Sequence, residues 1–492
     1  MNIEELKQRA ASGDAEAQYK LGECYYNGDD IKQDDEAAVL WFKESAGQGY
    51  TPAYKALGDC YIFGYGVEQD YEEAVKWWRL AAEQGNAEAQ NNLAIAYANG
   101  DGVEQNYEEA VKWWRLAAEQ GLVEAQHNLG YAYKRGKGVE QNYEEAVKRC
   151  RLAAEQGNGQ AQYNLGRCYE RGVGVGQNMD EAVKWYKLAA EQGEAFAAHN
   201  LAICYRMGCG VEQNHEEAFK WELLAAEEGN DEAQYNVGNA YKRGEVVEQN
   251  FEEAVKWWHL AAEQGFADAQ YYLGCAYGNG DGVEQNDEEA VKWCRLAAEQ
   301  GNGQAQYNLG RCYERGVGVG QNMDEAVKWY KLAAEQGYVE VQKKLGGLYL
   351  RGEGVEKNYK EASKWILLAA EQNDISSQSI MGIICHNGDG VEQNDEEAVK
   401  WWRLAAERGD ADAQSYLGCA YANGDGVEQN YEEAVKWWRL AAEQGFADAQ
   451  YYLGCAYGNG DGVEQNDEEA VKWYRLAAER GDEDAKEALK RL

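Results

Sequence analysis

Asparagine and arginine side chains recur at fixed spacing along this chain, and they are the residues best suited to bind another molecule. Asparagine suits a peptide main chain because its amide both donates and accepts hydrogen bonds. Arginine suits carboxylates because its planar guanidinium holds them through two parallel hydrogen bonds. The set, which we call the Asn/Arg strip, consists of Asn92, Asn128, Arg135, Tyr163, Asn164, Arg167, Arg171, Asn200, Tyr235, Asn236, Arg243, Tyr307, Asn308, Arg311, Arg315 and Arg351. Its composition predicts the binding of a protein segment rather than catalysis.

Other sequence patterns that carry chemistry are incomplete. The acidic loop at residues 99–109 lacks the ligand spacing of a calcium loop, and the glycine-rich stretch at 172–178 lacks the Lys-Ser/Thr of a phosphate loop. None of the 5 histidines forms an H-E-x-x-H motif, and the 12 cysteines contain no C-x-x-C pair. His127 and His199 share one repeat position and are expected to line the surface. With no nonrepeated polar cluster evident, we predict no catalytic site, no metal site and no cofactor.

The elements that must position the strip repeat every 36 residues. The motif Glu-Glu-Ala-Val recurs in step from Glu72 to Glu468. A fixed period in this range is typical of a solenoid, in which each unit packs on its neighbours. A single proline in 492 residues favours helices nearly throughout.

One unit, residues 86–121, contains two helical patterns. Gly100 is expected to end the first helix in a left-handed conformation. Asn106 is expected to cap the second helix, with Glu109 three residues further on. The sequence therefore predicts an all-α chain of helix-turn-helix repeats.

This layout divides the chain into three parts. Residues 1–13 are predicted to form an N-terminal capping helix, residues 14–481 thirteen 36-residue repeats, and residues 482–492 a C-terminal capping helix. The segment 150–193 recurs identically at 294–337. A unique active site would not survive as a double at two distant points, which argues against an enzyme.

A pair of adjacent residues, Trp-Trp in five of the thirteen repeats, marks the middle of each second helix. The first position, as in Trp77 and Trp257, is nearly constant and is expected to lie in the core. The second position, as in Trp78, also admits Cys150 and Glu222. This variability favours partial exposure of the second side chain.

The pattern A-x-x-x-L-G-x-x-Y-x-x-G-x-G-V-x-x-N/D-x-x-x-A-x-x-W resembles the Sel-1-like repeat family, a relative of the tetratricopeptide repeat. The residues that match within one repeat are Ala161, Leu165, Gly166, Tyr169, Gly172, Gly174, Val175, Ala182 and Trp185. The resemblance covers nearly the whole chain and implies a right-handed α-solenoid superhelix with the first helices on its concave face. It also implies a role as adaptor or scaffold, since family members gather other proteins into complexes. In tetratricopeptide relatives, an Asn on the first helix binds peptide main chain and basic residues hold carboxylates.

The members of the strip lie three, four or seven residues apart within each first helix, and therefore on one side of it. We predict a noncatalytic adaptor that binds a partner protein or extended peptide along the concave surface. Two alternatives stay open, namely a solvated polar face preserved by duplication and a bacterial host-directed factor of the same architecture. An enzyme or a nucleic-acid binder is disfavoured.

Charge and hydropathy narrow the class of partner. The formal net charge of −39 argues against broad binding to nucleic acids or anionic membranes, which require a cationic surface. The middle repeats are locally basic, with Lys134 and Arg135 against Glu124 in one first helix, and this favours a carboxylate-bearing partner. The sequence shows no apolar signal region and no run of about 18 apolar residues, which predicts a cytoplasmic protein without membrane insertion.

Overall fold

The protein, in a computed structural model that describes residues 2–491, is a succession of 28 α-helices with no strand in that span. It divides into two compact units, residues 1–249 and 250–492. The helices of the first unit are α1 (Ile3–Ala11), α2 (Ala15–Asn27), α3 (Asp35–Gly47), α4 (Thr51–Phe63), α5 (Tyr71–Glu83), α6 (Ala87–Asn99), α7 (Tyr107–Glu119), α8 (Val123–Arg135), α9 (Tyr143–Glu155), α10 (Gly159–Arg171), α11 (Met179–Ala190), α12 (Ala195–Met207), α13 (His215–Glu227) and α14 (Asp231–Arg243). Those of the second are α15 (Phe251–Glu263), α16 (Ala267–Asn279), α17 (Asp287–Glu299), α18 (Gly303–Arg315), α19 (Met323–Glu335), α20 (Val339–Arg351), α21 (Tyr359–Glu371), α22 (Ile375–Asn387), α23 (Asp395–Glu407), α24 (Ala411–Asn423), α25 (Tyr431–Glu443), α26 (Ala447–Asn459), α27 (Asp467–Glu479) and α28 (Glu483–Arg491).

Helix boundaries follow from local capping chemistry, as the sequence predicts. Gly100 ends α6 at φ 87° and donates its N–H to the carbonyl of Ala96. Asn106 begins α7 in an extended conformation, and its side chain accepts the N–H of Glu109 at 3.1 Å. The even-numbered helices α2 to α26 are thus the first helices of the repeats, and the odd-numbered helices α3 to α27 are the second.

Glycine in the loop between the two helices brings neighbouring repeats into contact. Gly102 has φ 68°, and a Cβ atom there would lie 2.1 Å from the carbonyl oxygen of Tyr71, at the start of the preceding second helix. Only glycine satisfies both the left-handed backbone and this close approach. The loop therefore fixes the stacking of one repeat on the next.

The core lies between the helices of each repeat, and both members of the aromatic pair contribute to it. The first member is buried in several repeats where the second is smaller than tryptophan, as in Trp185 and Trp293, so the predicted core position is correct there, but the predicted partial exposure of the second member is wrong. Where both members are tryptophan, the second is the buried one: Trp78 is 5% exposed and Trp258 is 2% exposed. The first member is half-buried in Trp77 and Trp257. The second ring packs against a glycine of the first helix in the same repeat, where a Cβ on Gly58 would lie 2.3 Å from Trp78 Cδ1.

The terminal helices pack against the repeats beside them. Leu6 of α1 is buried in a cluster with Leu21 of α2, and Ala485 of α28 is buried against Ala470 and Ala477 of α27. Within residues 2–491, no helix is both long enough and apolar enough to cross a membrane.

Candidate partner-binding surface

The Asn/Arg strip lies entirely on the first helices, whose surface we call the first-helix face. Its asparagines stand at the sixth position of their helices and are half-buried. Its terminal arginines stand at the thirteenth position, in the last turn, and are exposed. Members up to Arg243 belong to the first unit, and members from Tyr307 onward to the second.

The asparagines of the strip form hydrogen bonds with the preceding repeat. The amide of Asn128 donates to Asn91 Oδ1 at 3.2 Å, and the amide of Asn164 lies 3.1 Å from His127 Nε2. Each partner belongs to the first helix of the preceding repeat. These contacts fix the orientation of the amide while using only part of its hydrogen-bonding capacity, since an amide has two donor hydrogens and an acceptor oxygen.

Tyrosine rings hold the arginines that lie in the middle of the first helices. The guanidinium of Arg167 lies 5.7 Å from the ring centre of Tyr163, and that of Arg311 lies 5.7 Å from Tyr307. The cation–π contact limits the freedom of each side chain and leaves its edge available for a carboxylate.

The exposed arginines of the last turn differ in whether they already have an acidic partner. Arg351 donates to Glu353 at 2.8 Å, and Arg243 lies 3.8 Å from Glu245. The other three, Arg135, Arg171 and Arg315, form no ion pair with any residue that the structure describes.

A coordinated exchange of two residues produces these unpaired arginines. In six other repeats the thirteenth position is Asn, as in Asn99, which donates to Asp101 two residues on at 3.0 Å. Where Arg135 replaces that Asn, Lys137 replaces the Asp, and Arg171 and Arg315 are each followed at the same distance by a valine. The exchange removes a carboxylate and adds a guanidinium at the same point, which makes the local charge positive at Arg135. At Arg171 and Arg315 the preceding Glu170 and Glu314 balance the added charge, but their carboxylates accept hydrogen bonds from the hydroxyls of Tyr186 and Tyr330.

Among residues 2–491 one carboxylate is buried, in a polar cluster of the sixth repeat that the sequence interpretation missed. Glu222 occupies the second position of the aromatic pair and is 2% exposed. It accepts a hydrogen bond from Arg206 Nη2 at 2.7 Å and another from Asn236 Nδ2 at 2.8 Å. His199 Nδ1 lies 2.9 Å from Glu222 Oε1, the oxygen that also accepts from Asn236. These partners are needed because a buried carboxylate without them is strongly destabilising.

His199 is buried within this cluster, so its predicted place on the surface is wrong. Burial alone lowers the pKa of His199, but the hydrogen bond and charge of Glu222 outweigh burial and leave the pKa raised. A pocket of about 330 Å³ opens beside the cluster, with Arg206, Asn236 and Arg243 among its lining residues. The signal in the sequence was a charged residue at a position that is otherwise apolar.

The cysteines are all free thiols in the structure, and several are deeply buried. Burial raises the pKa of both Cys60 and Cys150 to about 12, so these thiols stay protonated at neutral pH. Among residues 2–491, no group of three or more His, Cys, Asp or Glu side chains is arranged to hold a metal ion.

The repeat identified in the fold matches a known family model, described as the Sel1 repeat. Thirteen consecutive segments match it: residues 15–50, 51–86, 87–122, 123–158, 159–194, 195–230, 231–266, 267–302, 303–338, 339–374, 375–410, 411–446 and 447–482. The chain belongs to the Sel1 repeat family. The sequence resemblance and the all-helical solenoid class are therefore confirmed.

Solved structures show the same fold. One is c5321, described as a protective antigen in uropathogenic Escherichia coli strains with an SLR fold; it is 36% identical, with a TM-score of 0.72, over 92% of this chain and 97% of that one. A Sel1 repeat protein from Oxalobacter formigenes is 34% identical, with a TM-score of 0.54, over 63% of this chain and 90% of that one. Among curated proteins, no sequence matches this chain. Sel1-repeat solenoids are typically protein-interaction scaffolds and are generally noncatalytic.

Proposed function

We propose that this protein is a noncatalytic adaptor that binds an extended, carboxylate-bearing segment of a partner protein along the first-helix face. The observation that carries the proposal is the exchange of Asn and Asp for Arg and a non-acidic residue at Arg135, Arg171 and Arg315. A guanidinium that forms no ion pair, repeated at one position of the repeat, is a ready site for a carboxylate.

Electrostatics favour binding at these points over the rest of the surface. With a net charge of −39, most of the protein repels an acidic segment. The unpaired arginines are local exceptions, so they determine where such a segment binds and in which register. The half-buried amides of Asn128 and Asn164 lie two turns away on the same helices, where they face the main chain of a bound segment.

The test compares two triple variants of the full chain that lose the same charge. The first is Arg135→Asn, Arg171→Asn and Arg315→Asn, which introduces the residue found at this position in six other repeats and therefore preserves the helices. The matched control removes three second-helix lysines that are exposed and paired with glutamate, and the substitutions are Lys76→Gln, Lys112→Gln and Lys148→Gln.

Peptides selected from a random linear library on the unmodified chain serve as ligands, with affinity measured by fluorescence anisotropy. We expect the arginine variant to bind at least about tenfold more weakly, since each lost charge-paired contact costs about 2 kcal/mol or more when desolvated. The lysine variant should bind nearly as well as the unmodified chain. Equal affinities for all three proteins would refute the proposal.

A second candidate function is that of a host-directed interaction protein. The Escherichia coli relative at 36% identity is described as a protective antigen. Export of this chain from the cells that make it, measured against a cytoplasmic marker, distinguishes this role from an internal adaptor. Retention with the marker would exclude it.

A further inference from the structure

The second residue of the aromatic pair fills a defined space beneath the first-helix face. It contacts a glycine of the first helix in its own repeat: a Cβ on Gly418 would lie 2.5 Å from Trp438 Cδ1, and one on Gly166 would lie 2.7 Å from Tyr186 Cδ1. These rings are almost fully buried, with Trp438 at 6% and Tyr186 at 0% exposure. The space is therefore one that an aromatic ring fits.

The same space is bounded by the tenth residue of the next first helix, and the two side chains compensate in size. The tenth residue of the next first helix is an alanine after both Trp78 and Trp438. These alanines, Ala96 and Ala456, lie in the same buried cluster as the tryptophan. The smaller ring of Phe42 shares its cluster with Cys60. Ile366 shares its cluster with Ile384. Close packing is thus kept either by a large side chain beside a small one or by two side chains of middle size.

Two repeats, one in each unit, carry a small residue at both positions. Cys150 and Cys294 stand at the second position of the pair, and the tenth residues that follow are also small, Cys168 and Cys312. The opposing glycines are still present as Gly130 and Gly274. The thiol of Cys294 packs against Gly274, where a Cβ would lie 2.6 Å from its Sγ, but a thiol is much smaller than a ring and leaves the rest of the ring's space unfilled.

The missing ring leaves an open pocket at each place. The pocket at Cys150 measures about 360 Å³ and the pocket at Cys294 about 380 Å³. Beside Phe42, where a ring is present with the same cysteine following it, the pocket is about 190 Å³. An apolar cavity of about 150 Å³ is enough to hold benzene, so both larger pockets have room for an aromatic side chain.

We infer that each of these two pockets takes an aromatic side chain of the bound partner segment, which restores the ring packing that the other repeats build for themselves. The inference rests on the proposed function, because the pockets open on the same first-helix face. The floor of each pocket is suited to a ring: glycine and alanine backbone and a buried, protonated thiol present no charge to it. Each pocket is walled by first helices of two successive repeats, so a bound ring contacts both.

The rims of the pockets specify what flanks the aromatic residue. Lys134 and Asn164 line the Cys150 pocket, and Arg311 and Arg315 line the Cys294 pocket, where Asp287 is the acidic exception. Cationic and amide groups around an apolar floor match an aromatic residue with carboxylates beside it. The partner segment is therefore an acidic one that carries aromatic anchors, and such anchors commonly dominate binding.

The two pockets share the residues of the duplicated segment, 150–193 and 294–337, and differ in the residues of the first helix that precedes it. Tyr131 and Lys134 line the first pocket, whereas Cys275 and Gly278 occupy the corresponding places in the second. The second pocket is accordingly the more open toward its first helix.

The experiment fills both pockets with the residue that the chain itself uses. The filled variant is Cys150→Phe with Cys294→Phe. Phenylalanine is chosen because Phe42 occupies this position in the first repeat, packs against Gly22, and has a cysteine, Cys60, as the tenth residue of the next first helix. Cys209→Phe, at an exposed cysteine, is the control for replacing a thiol with a ring. Circular dichroism and thermal unfolding check the fold. If the phenylalanines prevent folding, Cys150→Ile with Cys294→Ile replaces them, because Ile366 occupies this position in the tenth repeat.

Two fluorescein-labelled acidic peptides serve as probes, identical except for Trp or Ala at the centre. On the unmodified chain and on the Cys209→Phe control, we expect the Trp peptide to bind at least about tenfold more tightly than the Ala peptide. On the filled variant that advantage should disappear, while the affinity of the Ala peptide stays the same.

Each other result overturns a stated part of the reasoning. If Trp and Ala peptides bind the unmodified chain equally, or if the advantage of Trp survives filling, the pocket inference is wrong. In that case a loss of binding in the Arg135, Arg171 and Arg315 variant leaves the proposed function standing. If neither peptide binds the unmodified chain, or if binding ignores those arginines, the proposed function fails as well.

Discussion

Replacing the second tryptophan of a pair should destabilise its repeat more than replacing the first. Trp78 is 5% exposed, its ring packs on Gly58, and its Nε1 donates to Asp59 Oδ1 at 3.0 Å. Removing a ring that buries about 150–250 Å² forfeits about 4–6 kcal/mol at about 25 cal/mol per Å². Measured Trp→Ala changes in cores cost about 3–5 kcal/mol, and we expect Trp78→Ala to fall in that range.

Trp77→Ala is the matched comparison, one residue away on the same helix. Trp77 is only partly exposed and stacks on Tyr54 with ring centres 5.8 Å apart, so its removal forfeits less buried ring area than the removal of Trp78. The expected cost is smaller, about 2–4 kcal/mol. Chemical unfolding gives the total change in free energy for each variant.

Hydrogen exchange by mass spectrometry locates the loss along the chain. Because repeats couple mainly to their neighbours, protection should fall in α4 to α6 and persist in α24 to α26. If Trp77→Ala cost more than Trp78→Ala, the packing described for the pair would be wrong. A uniform loss of protection would contradict the solenoid's local coupling.

Three further outcomes follow from the contacts described. The pKa of His199 is raised, so the stability that the protonated imidazole contributes is complete below the ordinary histidine pKa of 6.5 and is lost as pH rises through the raised pKa. The free energy of unfolding should therefore fall over that pH window in the unmodified chain and stay constant there in His199→Gln. Glu222→Gln breaks a buried ion pair and should cost about 3–5 kcal/mol in chemical unfolding. Gly102→Ala should lower the free energy of unfolding more than Gly121→Ala. Both glycines have positive φ, but only at Gly102 would the added Cβ lie 2.1 Å from a backbone oxygen. Equal losses in the two variants would contradict this close approach.

Features set by local chemistry could be predicted from the sequence. The stop at Gly100 and the cap at Asn106 depend on neighbours within a few residues, and each recurs at the same place in the period. The location of the strip on first helices follows from helical spacing alone. The positive charge around Arg135 can be read from the sequence. That it replaces a hydrogen-bonded pair is seen only from the bond that Asn99 donates to Asp101 in another repeat.

Features set by packing between helices could not be predicted in the same way. Periodicity does not distinguish which of two adjacent residues, Trp77 or Trp78, points at the first helix, since they differ by a rotation of about 100°. Variable positions are usually exposed, so the variation at the second position of the pair indicated exposure. In the structure this position is buried, and its size varies together with that of the tenth residue in the next first helix. Glu222 and Cys150 were misread for this reason: one introduces a buried polar cluster and the other opens a pocket.

The central claim, that a partner segment binds the first-helix face, is tested most directly by photo-cross-linking from two positions of one repeat. Tyr131 on α8 is 48% exposed beside Arg135, and Leu152 on α9 is 39% exposed on the second helix. Each is replaced in turn by a benzoylphenylalanine, and the full chain is irradiated with a selected acidic peptide. Cross-linking from position 131 and not from 152 is the expected result. Cross-linking from 152 alone would place the partner on the second helices and contradict the claim.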